Sequence, residues 1–233
     1  MQVPTSKISW KPSFRIIASK FPPLGIFERV AEPGEWDDLL LLEAMTDPSV
    51  GLMIAHLQRI PEVERYKGNL AGRIMAPFVI LDQTTGGRFN NSSLGAYYAC
   101  KSLETAIHET VFHAEKFLVN GKVAETQNLD QLVISADIAG EFHDVRGMQL
   151  QLKDVYASHD YLSSQSFAVE LKIENQSNGI AYSSLRHKKG ECIAVFTPSL
   201  IKNAVEIQQL SYHWNGVKIT GYFSISKFID LDA

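Results

Sequence analysis

Little in this chain points toward a disulfide scaffold, a membrane or nucleic acid. It has two cysteines in 233 residues, Cys100 and Cys192. A pair so far apart fits buried, reduced thiols better than a stapled secreted fold. No apolar run approaches the length of a membrane span, and residues 1–10 lack the apolar stretch of a secretion signal. The expected location is therefore the cytoplasm. Positive charge is not in excess either: 22 Lys and Arg stand against 26 Asp and Glu, for a net charge of −4. No basic field calls for direct contact with DNA. Also missing are a GxGxxG turn opening a helix, a Walker lysine and a GxSxG elbow, which disfavours Rossmann, P-loop and common hydrolase chemistry. No internal repeat, heptad array or low-complexity segment interrupts the chain.

What remains is an ordinary globular composition, 45% hydrophobic and 21% charged, in a chain long enough for one sizeable core. The pattern predicts a single α+β domain over residues 1–233, a mixed sheet of mainly short strands with flanking helices. Strands are expected at residues 8–18, 27–30, 74–81, 132–138, 179–184 and 192–196. Helical patterns follow Pro33, occupy residues 52–59 and recur over residues 158–174, while residues 142–154 read as irregular. Asn215-Gly216 sits between two β-prone runs, a strong hairpin signal for the C-terminal region, residues 205–233.

The informative stretch is residues 85–118, TGGRFNNSSLGAYYACKSLETAIHETVFHAEKFL. A glycine turn carries Arg88 and Phe89, a short strand follows at residues 96–99, and Ser102 stands where a helix N-cap belongs. Glu104 in the first turn suits the helix dipole. Leu103, Ala106, Ile107, Thr110, Val111, Ala114, Phe117 and Leu118 recur at helical spacing and predict one buried stripe. Glu109 points away from the centre of that stripe.

Several side chains here could carry chemistry. Arg88 follows two glycines, which let backbone approach a ligand that a guanidinium could fork. Arg15 and Arg29 lie in extended apolar segments, where an arginine needs a salt bridge or an anion. Tyr98 is a strand aromatic beside the glycine turn, equally suited to a core. His108, Glu109 and His113 form HExxxH, one residue too long for the zincin spacing, so no metal is expected. Ser184 is followed by His187, which raises a serine hydrolase as an alternative. Cys192, in an apolar strand, reads as a packed thiol.

Taken in order, G-G-R-aromatic-N, Tyr-x-A and A-x-x-E at a helix start resemble the RES-domain family, typically toxins of toxin–antitoxin pairs. The likeness extends to FRIIASKFPP and FERVAEP upstream and SNGIAYSSLRHKKGECIAVFTP downstream, about residues 10–198. It implies an ADP-ribosyltransferase-like fold that consumes NAD as a substrate, with no permanently bound cofactor. Carried over, Glu109, Arg88, Tyr98 and Ser184 become catalytic. Arg15 or Arg29 is the N-terminal arginine, and Phe89, Ser164 and Gln165 help bind NAD. Ser163 or Ser164 beside Gln165 competes with Ser184 for the family serine. The acceptor is left open among water, phosphate and a protein side chain. A cognate Xre-type antitoxin is the implied partner. The long insertion before the glycine turn could cover the pocket, bind that partner or support a homodimer. The alternative reading is a non-catalytic nucleotide- or protein-binding module.

Overall fold

A computed structural model describes residues 3–20, 50–81, 86–158 and 160–225. The segment expected to hold a strand at residues 27–30, Arg29 and the helix after Pro33 lies outside them. Among the described residues are seven strands in one mixed sheet and four α-helices. The expected α+β class is what this architecture shows.

In chain order the elements are β1 (Thr5–Ala18), α1 (Val50–Leu57), α2 (Ala71–Val79), β2 (Tyr97–Cys100), α3 (Leu103–Asn120), β3 (Gln127–Asp144), α4 (Leu162–Asn175), β4 (Gly179–Ser183), β5 (Glu191–Val195), β6 (Ile201–Trp214) and β7 (Ile219–Ile225). The sheet order is β1-β2-β5-β4-β3-β6-β7, and β1 also pairs with β3 along most of its length. That second pairing bends the first five strands of the order back onto themselves. β1 meets β2 where Phe14 lies opposite Cys100. The β3–β4 ladder is parallel and the others are antiparallel.

Alternation along the strands feeds two cores. On β5, Ile193 and Val195 join one cluster, whereas Cys192 and Ala194 join the other. The first cluster also takes Leu57 of α1 and Ile74, Met75, Phe78 and Val79 of α2. The second takes Ala106 of α3 and Ala168 and Leu171 of α4. Each helix pair therefore covers its own set of strand side chains, a three-layer solution.

Three expectations need correction. The apolar run at residues 74–81 is not a strand but mostly α2, with Pro77 inside the helix. Ile74, Met75, Phe78 and Val79 are buried together, which is helical spacing, and the two-residue strand period does not describe them. The strands are also longer than expected, since β1 and β6 each have 14 residues and β3 has 18. Finally, Phe117 is 67% exposed, so the buried stripe of α3 does not extend to it. The Ser102 cap is present, its hydroxyl accepting from the Thr105 amide at 3.2 Å. The hairpin at Asn215-Gly216 joins β6 to β7, with Asn215 N–H donating to Lys218 O.

Candidate active site

Helix α3 packs on β1 and β2, at the place where those two strands meet. A cavity of about 840 Å³ opens beside this junction. Its wall is built from β1 at Phe14, Arg15 and Ile16, from the turn at Gly86, Gly87 and Arg88, and from Glu109 and His113 on α3. The start of α4, including Gln165, and the link after β4, at Leu185 and Arg186, complete it. That size falls within the range of small-molecule and cofactor sites. Four cations line it (Arg15, Arg88, Lys116 and Arg186) against two carboxylates, Glu109 and Asp160. The cavity is thus locally cationic in a chain of net charge −4.

Glu109 is half-buried and held by one short contact: Ser184 Oγ donates to Glu109 Oε1 at 2.6 Å. The Ser184 oxygen in turn accepts from the Arg186 and His187 amides at 3.0 and 2.9 Å. Two fixed amides thus orient the hydroxyl, and its proton is directed at the carboxylate. Beneath this pair, Cys192 Sγ lies 3.9 Å from the same Glu109 oxygen and 3.4 Å from Cys100 Sγ. Both thiols are free and buried. The hydrogen bond with Cys100, then burial, push the Cys192 thiol far up, so it is a packed, neutral group. The His187 ring bonds Thr105 Oγ1 at 2.9 Å and approaches Glu104, so it gives the Ser184 hydroxyl no base.

The two arginines are positioned by backbone carbonyls and aromatic rings. Arg88 Nη1 donates to Val155 O and Ala157 O at 2.8 and 2.9 Å, and its guanidinium lies 5.0 Å from the centre of the Tyr161 ring. Arg15 Nη1 donates to Tyr98 O at 3.0 Å, and its Nε is buried with no hydrogen-bond partner. Burial lowers the Arg15 pKa, with the nearby Tyr97, Tyr98 and Cys100 opposing. Among the described residues neither arginine is in an ion pair with a carboxylate. Cations left without a protein counter-charge are what an anionic ligand needs.

The glycine turn is tied to this wall. Tyr98 Oη donates to Asn90 Oδ1 at 2.9 Å and accepts from Phe89 N at 2.7 Å, while Asn90 Oδ1 also accepts from Gly87 N. Gln165 Nε2 donates to Gly87 O at 2.9 Å. A Cβ on Gly87 would sit 2.4 Å from Asn90 Oδ1, so any larger residue there would push the Asn90 side chain off its bonds to the Gly87 amide and Tyr98. The pKa of His113 is lowered, chiefly by desolvation beside the cavity; Glu109 opposes this, and Arg186, Lys116 and Arg88 reinforce it.

The RES domain matches residues 56–215, more than half of the chain. The chain belongs to the RES domain family. It is 24% identical over 212 residues to the uncharacterized protein y4oC of Sinorhizobium fredii, spanning 89% of this chain and 84% of that one. It also aligns with a chain of the Mycobacterium tuberculosis MbcT–MbcA toxin–antitoxin complex at 11% identity and a TM-score of 0.44, over 87% and 86% of the two chains.

Arg88, Tyr98, Glu109 and Gln165 of the matched region share the cavity with Arg15, which precedes that region, and Ser184 reaches it through Glu109. Arg29 lies outside the described residues. Two candidates sit elsewhere than expected. Phe89 is fully buried and packs edge-on against Tyr182, and Ser164 is fully buried with its hydroxyl turned to Tyr161 O. Neither side chain lines the cavity, and both pack behind its wall. Ser163 is exposed. Sequence reasoning noticed His113 only as part of HExxxH, and it missed Asn90, Lys116 and Tyr161. Asn90 was signalled only by its place in the GGRFN string, and the others by nothing local.

Proposed function

We propose that this RES domain is the toxin of a toxin–antitoxin pair and that it consumes NAD by breaking the nicotinamide–ribose bond. The observation that carries the reading is the Glu109 carboxylate, oriented by Ser184, on the wall of a cavity shared with two arginines that have no acidic partner among the described residues. Family membership supports it.

The residue chemistry suits that reaction. As the C–N bond breaks, its electron pair leaves with nicotinamide as a neutral ring, and positive charge grows on the anomeric carbon and ring oxygen. A carboxylate fixed beside the ribose stabilises that charge without reorganising, so its interaction strengthens toward the transition state. Arg15 and Arg88 hold the pyrophosphate and with it the direction of the breaking bond. The Tyr98 ring and the Arg88–Tyr161 pair offer flat surfaces for the base. Any nucleophile that reaches the anomeric carbon completes the step: water, phosphate or a protein side chain. A helical antitoxin of the Xre type would inhibit by covering the cavity mouth. Among the described residues no helix is long and apolar enough to cross a membrane.

The test is expression in cells with the NAD pool followed by mass spectrometry. The wild-type chain is expected to stop growth and empty the pool, and Glu109→Ala to do neither at equal soluble expression. An undiminished NAD pool in arrested cells would overturn the enzymatic reading.

A further inference from the structure

Outside the cavity, the first turns of α3 and the link between β4 and β5 bring together Glu104, His108 and His187. One ligand atom from each lies within 4.8 Å of the others. Glu104 and His108 stand one turn apart on α3, at i and i+4, so they share a face. His187 arrives from a distant part of the chain and stacks on His108, with ring centroids 4.8 Å apart and planes at 14°. Its Nε2 is 3.7 Å from Glu104 Oε1.

The His187 ring is already set in the orientation a ligand requires. Its Nδ1 is 2.9 Å from Thr105 Oγ1, and Thr105 Oγ1 is 2.8 Å from Ser102 Oγ. A consistent assignment has Nδ1–H donating to Thr105 and Thr105 donating to Ser102, which leaves the Nε2 lone pair free beside Glu104, with the exposed His108 ring stacked alongside and needing to turn to aim its nitrogen at the same point. A histidine whose far nitrogen donates to a fixed oxygen is the usual support of a metal-bound imidazole. The link itself is closed by Ser184 N–H to Gly190 O and Gly190 N–H to His187 O, at 2.8 and 2.9 Å. Gly190 lies so near α3 that a Cβ there would meet the Thr105 side chain at 2.7 Å. One ligand is therefore presented by a tight turn and two by a helix.

We propose that Glu104, His108 and His187 form a binding site for a divalent transition metal of the zinc class, clamping the β4–β5 link onto α3. Two imidazole nitrogens and one carboxylate oxygen suit that ion, with a fourth position left to water. Ligand atoms around such an ion stand about 3.4 Å apart, given bonds of about 2.1 Å at tetrahedral angles. The exposed Glu104 and His108 side chains need only shift rotamer to close the gap. The site is separate from the NAD reading, since none of its three residues lines the cavity. It is nonetheless joined to the catalytic wall, because the same link carries Ser184 and Arg186.

The test uses untagged full-length protein stripped with EDTA and titrated with zinc chloride by calorimetry, and with cobalt(II) followed by its visible absorption. The expected result is one saturable ion per chain at micromolar or tighter affinity, with a tetrahedral-type cobalt spectrum. His108→Ala and Glu104→Gln, both at exposed positions, should weaken binding at least about tenfold while the metal-free proteins keep a cooperative melt, Glu104→Gln losing only the small dipole contribution of the first turn. Thr105→Val should also weaken it about tenfold, a loss that an accidental pair of surface histidines would not show. No saturable binding below about 100 µM, or wild-type affinity in His108→Ala, would overturn the proposal.

Discussion

Replacing Ser184 by alanine separates the positioning of Glu109 from its presence. The hydroxyl makes three contacts: it donates to Glu109 Oε1 at 2.6 Å and accepts from the Arg186 and His187 amides. A hydrogen bond to a charged group contributes roughly 1.5–3 kcal/mol. If half or more of that acts only as charge develops on the ribose, the barrier rises by ~1–2 kcal/mol, a fall in kcat of about 5- to 30-fold. The KM for NAD should change little, because the arginines that hold the pyrophosphate are untouched. Two partly exposed amides lose their acceptor, which costs ~1–2 kcal/mol of stability and leaves the fold intact. Ser184→Thr keeps a hydroxyl at the same distance along the side chain and should recover most of the rate. Steady-state kinetics of nicotinamide release, with denaturant unfolding of the same samples, reads every part of this. Nicotinamide release by Ser184→Ala within twofold of wild type would refute the claim that this hydroxyl positions the carboxylate.

Arg88→Lys removes the fork that reaches Val155 O and Ala157 O, and should raise the KM for NAD about tenfold with a smaller change in kcat, measured by initial rates. Tyr98→Phe leaves the Phe89 amide without its acceptor and should cost ~1–3 kcal/mol in urea unfolding, since the hydroxyl anchors the glycine turn. Phe89→Ala empties a fully buried site and should cost ~3–5 kcal/mol, far more than a ligand-contacting residue would. Acid sensitivity should trace to the Asp144–Arg146–Glu191 network. At Asp144 burial raises the pKa, but hydrogen bonds from Arg146 and Ser6 outweigh it; at Glu191 burial is likewise outweighed by Lys101 and Arg146. Carboxyl groups held below their ordinary range stabilise the fold above that range, and the gain is lost as pH falls through their native values. Thermal melts of wild type and Arg146→Met should therefore differ at pH 7 and converge as the pH falls below the ordinary carboxylate range.

The local grammar of the chain was readable. Ser102 caps α3 because a serine before an apolar-periodic run has few better uses, and Asn215-Gly216 turns a hairpin because its backbone demands do. The run at residues 74–81 misled because apolar residues in succession satisfy either element. Its buried members at 74, 75, 78 and 79 carry the helical answer, and Pro77 obscured it. Within the site, Glu109, Arg88 and Tyr98 were visible only as an ordered pattern. What joins them is long-range: Ser184 to Glu109 across 75 positions, Arg15 to Tyr98 across 83, Arg88 to Val155 across 67. No local window contains both ends of such a contact. Phe89 and Ser164 stood beside true wall residues in sequence, but side-chain direction turned them inward. His187, by contrast, was noticed for Ser184, yet its ring belongs with Thr105 and Glu104.

The most direct measurement of the central claim is mass spectrometry of NAD incubated with purified wild-type chain and with Glu109→Gln, each with and without phosphate. Wild type should release free nicotinamide together with ADP-ribose or its phosphorylated or protein-bound form, and Glu109→Gln should release it at least about 100-fold more slowly while still binding NAD. Intact NAD under every wild-type condition, or equal release by the two proteins, would contradict the account.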